Sequence, residues 1–143
     1  MYANIEHKNK PDTNNKLIYP ELSYQLVGML YDIHNELGNK YQEKYYQRAI
    51  AIELENRKVK FQKELPVNLM YKGKKIGIYF FDFLIENKII LEVKAVDKFR
   101  ISDFKQISAY LKSKDLKLGI IANFRTEKLV YKRVLNPDFK YKK

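Results

Sequence analysis

The chain has 143 residues, 45% of them hydrophobic and 31% charged, which fits a single globular domain that can bury its own core. It has no cysteine and only two histidines, His7 and His34, so disulfides and thiolate metal sites are excluded and a multi-imidazole zinc site is disfavoured. A net charge of +11 favours polyanionic partners, nucleic acid first among them.

Residues 1–19 are polar, rich in Asn and Lys, and read as a flexible lead with no signal-peptide apolar region. No apolar run is long enough to span a bilayer, so a cytoplasmic protein with no membrane contact is expected. Pro20-Glu21 opens a helix over 21–37, where Leu22, Leu26, Leu30, Ile33 and Leu37 recur at helical spacing and Gly38-Asn39 ends it. A second helix is expected over 41–57, with Tyr46, Ala49, Ile50 and Leu54 on its apolar side. From Phe61 to Tyr71 the period becomes two, which predicts a half-buried strand with a free edge at Pro66. Lys72-Gly73-Lys74-Lys75 reads as a turn. The near-continuous apolar runs 76–85 and 89–95 predict central strands buried on both faces. Ser102 is expected to cap a helix to about 114, followed by a buried strand over 116–124; a last short strand is compatible with 128–135. The order is α-α-β-β-β-α-β, with room for that final β. It predicts one α/β domain over 20–136, a mixed sheet flanked by helices, and a basic tail over 137–143.

Charges interrupt the two central runs. Asp82 lies in IGIYFFDFLI, and Glu92 and Lys94 lie in IILEVKA. Buried charges are costly unless they are paired or hold a metal. Glu92 and Lys94 are two apart and share a strand face. Asp82 joins them only if the connection Glu86-Asn87-Lys88 is a three-residue loop, which sets residue 82 opposite 92. A two-residue loop would turn Asp82 to the other face. In the first case two carboxylates stand opposite each other, and a divalent cation would relieve their repulsion, with Lys94 assisting. The alternative is a buried salt-bridge network with no chemistry. Metal-assisted phosphodiester hydrolysis fits the residue types: oxygen ligands from Asp82 and Glu92 suit Mg²⁺ or Mn²⁺.

An aspartate on one strand and E-x-K on the next, between helices, resembles the PD-(D/E)XK nuclease superfamily and its restriction-endonuclease-like fold. The blocks IHNELGNKYQEKYYQRAIAIEL, YKGKKIGIYFFDFLIENKIILEVKAV and FKQISAYLKSKDLKLGIIANF resemble the branch named for its G-x-x-E-x-x-Y motif. The resemblance implies catalytic roles for Asp82, Glu92, Lys94, Glu43 and Gln106, with Glu43 joining Asp82 and Glu92 at the metal. Tyr46 matches the motif tyrosine. Two departures stand out: Lys40 occupies the motif's glycine position, with Gly38 two residues earlier, and Phe81 rather than proline precedes the strand aspartate. His34, beside the apolar stripe of the first helix, reads as a packed residue in preference to a general base.

Basic residues near the proposed centre, Lys98, Arg100 and Lys105, together with Arg125 and Tyr46, are the expected nucleic-acid contacts. The function implied is a metal-dependent nuclease acting on nucleic acid, DNA ahead of RNA. The alternative is a non-catalytic nucleic-acid-binding or interaction module on the same fold. With little length left for a recognition domain, a homodimer or a partner protein is expected to supply substrate selection.

Overall fold

The computed structural model describes residues 5–7 and 18–139. The rest of the segment 1–17 and the last four residues of the chain, on which the expected lead and basic tail fall, lie outside the described residues. Helices α1 (Pro20–Leu37) and α2 (Glu43–Asn56) precede strands β2 (Phe61–Tyr71), β3 (Lys74–Ile85) and β4 (Ile89–Lys94). Helix α3 (Ile101–Lys114), β5 (Leu118–Asn123) and β6 (Val130–Leu135) follow. A short strand β1 (Ile5–His7), within the segment read as a lead, pairs antiparallel with β6. The six strands run β1-β6-β5-β4-β3-β2 across one mixed sheet, in which β4 and β5 are parallel and the other pairs antiparallel. The expected final strand is present as β6.

Two apolar clusters cover the two sheet faces. On one side Leu26, Leu30, Ile33, Tyr46, Ile50 and Leu54 of α1 and α2 meet Ile85, Ile89, Leu91, Val93 and Ile120. On the other, Phe104, Ile107, Tyr110 and Leu111 of α3 meet Phe81, Ile90, Ile121 and Val134. A Cβ on Gly119 would come within 2.5 Å of Ile107 Cγ2, so glycine is what lets α3 lie this close to β5.

Three sequence expectations need correction. Ser102 does not cap α3: the helix starts at Ile101, and the carboxylate of Asp103 accepts the Arg100 amide at 2.9 Å. The first half of β3 is not buried on both faces, because β4 is short and its ladder meets only Phe83–Ile85. The earlier residues of β3 pair with β2 alone, as a two-stranded arm that leaves Ile76, Ile78 and Phe80 exposed.

The third correction concerns alternation along β2 and β3. Phe83 and Ile85 face α1 and α2, whereas Tyr79 and Phe81 face the α3 side. On β2, Phe61 packs with the first group and Leu65 and Val67 with the second. The pairing passes from Lys63↔Phe83 to Leu65↔Phe81 across Glu64, which holds φ at 54°. A left-handed residue inside an extended strand rotates the chain, so the hairpin changes face at Glu64 and Asp82.

Candidate active site

The odd-length connection is the one present. Ile85 pairs with Ile89 across Glu86-Asn87-Lys88, with Leu84↔Ile90 and Phe83↔Leu91 beyond it. Ladder pairing stops there, and side chains continue it. Glu92 Oε1 accepts the Asp82 amide at 2.7 Å, and Asp82 Oδ2 accepts the Val93 amide at 2.7 Å. The two carboxylates therefore lie in the seam where β3 and β4 part. Gln47 of α2 donates to Asp82 Oδ1 at 3.0 Å, and the Tyr79 hydroxyl donates to Glu92 Oε2 at 3.0 Å.

Burial raises both acids. It pushes the Glu92 carboxyl, only 3% exposed, up to about 8, with the neighbouring Asp82 charge adding to the rise. Asp82 is raised to about 6, first by burial and also by the Glu43 charge, against the Val93 amide and Lys94. The pair therefore holds its protons more tightly than free carboxyls do. Burial and the Glu92 charge also push the Tyr79 hydroxyl upward, which keeps it a donor.

Lys94 carries positive charge into this group, but Asp103 anchors it, with Nζ 3.6 Å from Asp103 Oδ1. Asp103 is itself 5% exposed and also takes the Arg100 amide. Glu43, in the first turn of α2, faces the same ammonium: burial raises its carboxyl, while Lys94 and the Ala95 amide pull it down. Lys94 thus serves four carboxylates, those of Glu43, Asp82, Glu92 and Asp103.

The loop that delivers Glu43 is tied down by Tyr46 and Arg125. The Tyr46 hydroxyl donates to Gly38 O at 2.6 Å and accepts the Tyr41 amide at 3.2 Å, while its ring stacks on Phe124. Tyr46 is 0% exposed and offers no surface to nucleic acid, which corrects the expectation of a contact there. Arg125 donates to Asn39 O at 2.7 Å and Tyr41 O at 2.9 Å, so much of its guanidinium is spent on the loop. Lys98, Arg100 and Lys105 are exposed around the start of α3. Gln106 lines a groove between α3 and the β2–β3 arm, together with Tyr79 and Phe81. His34 is buried against Phe124 and its Nε2 lies 3.0 Å from Thr126 O, as a packed residue should.

Among the described residues, no group of three His, Cys, Asp or Glu side chains is already drawn together as a metal cage. The donor chemistry nevertheless fits a hard divalent cation. Glu92 is a buried and Asp82 a half-buried oxygen donor, their charges repel, and the ammonium that opposes them is shared with two further acids. Each of their oxygens accepts one hydrogen bond and retains a second lone pair.

The family model that describes the PD-(D/E)XK nuclease superfamily matches residues 20–134. The chain belongs to the PD-(D/E)XK nuclease superfamily. No curated protein and no solved structure matches it. The superfamily match runs from the start of α1 into β6, so it takes in both helical layers and the strands that carry Asp82, Glu92 and Lys94. Membership makes nucleic acid the substrate class suggested and divalent metals the general habit of the superfamily. Among the described residues no helix is long and apolar enough to cross a membrane.

In this superfamily protein four supporting residues escaped the sequence reading: Gln47, Tyr79, Asp103 and Asn123. Asn123 is 2% exposed and bonds both the amide and the carbonyl of Val96, which fixes the chain just after Lys94. Its signal was a polar residue closing the apolar run LGIIAN, and Asp103 had the signal of an acid in a helix's first turn. Gln47 and Tyr79 carry no comparable mark.

Proposed function

We propose that this chain is a metal-dependent nuclease of the GxxExxY branch that hydrolyses phosphodiester bonds in nucleic acid, DNA ahead of RNA. The observation that carries the reading is the meeting of Asp82 and Glu92 in the β3–β4 seam, with Lys94 behind them. Asp82 and Glu92 hold Mg²⁺ or Mn²⁺, and Glu43 completes the acidic wall beside Lys94. The cation, when bound, supplies charge that polarises a phosphate and acidifies water. Lys94 orients the attacking water and faces the charge that develops on the phosphate oxygens. Asp103 positions Lys94, while Gln47 and Tyr79 hold the two carboxylates in place. Gln106 acts from the neighbouring groove, and Lys98, Arg100 and Lys105 take phosphates at the start of α3.

The test is cleavage of labelled single-stranded, duplex, branched and RNA substrates with Mg²⁺ or Mn²⁺. Asp82→Ala and Lys94→Ala should each abolish cleavage while leaving the circular dichroism of a folded protein. Persistent cleavage by both purified variants would remove the assignment. One observation favours a second reading, a binding module without catalysis: all four oxygens of Asp82 and Glu92 already accept hydrogen bonds. On that reading nucleic acid binds, but divalent metal neither triggers cleavage nor raises the melting temperature.

A further inference from the structure

Tyr41, just before α2, and Tyr45, in its first turn, are two partly exposed tyrosines, the first resting edge-on against buried Tyr46 with ring centroids 6.2 Å apart. Tyr41 is 48% exposed and Tyr45 42%, with ring centroids 6.1 Å apart in an edge-on pair. Cations flank the Tyr45 ring: Lys44 Nζ is 5.2 Å from its centre and the Arg48 guanidinium carbon 5.5 Å. These same two cations line a cavity of about 230 Å³ between α2 and the β2–β3 hairpin, together with Lys63, Gln47, Glu64 and Asp82. Gln47 in that wall is the residue that bonds Asp82. A continuous surface therefore leads from two exposed rings, past three cations, to one of the two central carboxylates.

We infer that the strand served by this site is single-stranded nucleic acid, its bases stacking on Tyr41 and Tyr45 and a backbone phosphate seated among Lys44, Arg48 and Lys63 beside Asp82. The inference rests on the nuclease reading for what happens next, but the binding itself does not. Duplex DNA keeps its base faces stacked inside and would offer this surface only phosphates, for which exposed rings have no use. An unpaired strand offers base faces and phosphates together, and aromatic rings interleaved with cations are the general means of holding one. The three cations outnumber the two acids of the cavity, Glu64 and Asp82, so the wall attracts a phosphate even with both acids ionised.

The experiment is fluorescence-anisotropy binding of the full chain to a labelled oligothymidylate and to a blunt duplex of equal length, with chelator present so that no strand is cut. The single strand should bind at least about 10-fold tighter than the duplex. Replacing both rings, as Tyr41→Ala with Tyr45→Ala, should weaken single-strand binding roughly 10- to 100-fold and leave duplex binding within about twofold. Tyr41→Leu with Tyr45→Leu keeps apolar bulk if the alanine pair does not fold, and should show the same selective loss. Each of Lys44→Gln, Arg48→Gln and Lys63→Gln should weaken single-strand binding, and replacing all three should reduce its salt slope by about 0.7. Equal affinity for duplex and single strand, or ring variants that bind the single strand as the wild type does, would overturn the inference. Tight single-strand binding by a protein that cuts nothing with Mn²⁺ would leave the platform standing and remove the nuclease reading alone.

Discussion

Asp82 and Glu92 withdraw two carboxylates from water and lean on an ammonium that Asp103 already holds. That imbalance has a measurable sign. The Glu92 carboxyl is pushed from an ordinary 4.5 to about 8 by burial and by Asp82, so between those values the folded chain holds more protons than the unfolded chain. Stability must then fall as pH rises through that window, and Asp82, also raised, acts in the same direction. In chelator, the melting temperature should decline from about pH 5 to about pH 8 more steeply in the wild type than in Glu92→Gln. Saturating Mg²⁺ or Mn²⁺ should recover most of the loss at the alkaline end. A decline of the same size in Glu92→Gln would show that the pair is not its cause. Asp103→Ala should cost roughly 2 kcal/mol in urea unfolding, since it strips the Arg100 amide of its acceptor and Lys94 of its anchor. Asp103→Asn keeps an acceptor and should cost less. The acids of the seam were legible because charges interrupt apolar runs. Gln47 and Tyr79 were not, since ordinary polar residues acquire their roles from partners 35 and 13 positions away.

At the scale of elements, periodicity located the helices and every strand but β1 to within a few residues, but it could not say where an apolar run stops being covered. β3 reads as one buried strand, yet only Phe83–Ile85 are laddered to β4, and the exposed Ile76, Ile78 and Phe80 belong to an arm with one neighbour. The change of face at Glu64 was likewise hidden, because it is a backbone event with no residue signature. A glutamate at φ 54° carries strain that glycine would not. Glu64→Gly should therefore be neutral or stabilise by up to about 1 kcal/mol, and Glu64→Val should destabilise by roughly 1–2 kcal/mol, both read from chemical denaturation. The approach of α3 to β5 gives a sharper case. Gly119→Ala drives a methyl into Ile107 and should cost about 1–3 kcal/mol, whereas alanine at exposed Gly28, which meets nothing within 4 Å, should be stabilising or neutral. Equal effects at the two glycines would contradict the close packing of α3.

For the whole molecule, element order and the interrupted runs were enough to point to the superfamily, and the match over residues 20–134 agrees with them. Substrate preference was not legible, because it depends on which exposed residues tertiary structure brings beside the acids. Of the basic residues singled out in the sequence, Lys98, Arg100 and Lys105 lie around the start of α3 and Arg125 is tied to the loop before α2, while the cavity that reaches Asp82 is lined by Lys44, Arg48 and Lys63. The excess of +11 favours any nucleic acid and discriminates among none, so selectivity has to come from particular side chains. On the proposed reading, Asp82 and Glu92 form a metal-using centre. Its most direct test is the rate at which purified wild type and Glu92→Gln cut a labelled DNA strand in Mn²⁺ and in chelator. Cutting by the wild type in Mn²⁺ alone is expected, with a rate about 10²- to 10³-fold lower in Glu92→Gln, as when a charge-stabilising group is removed. Equal cutting by both proteins, or cutting that survives the chelator, would contradict it.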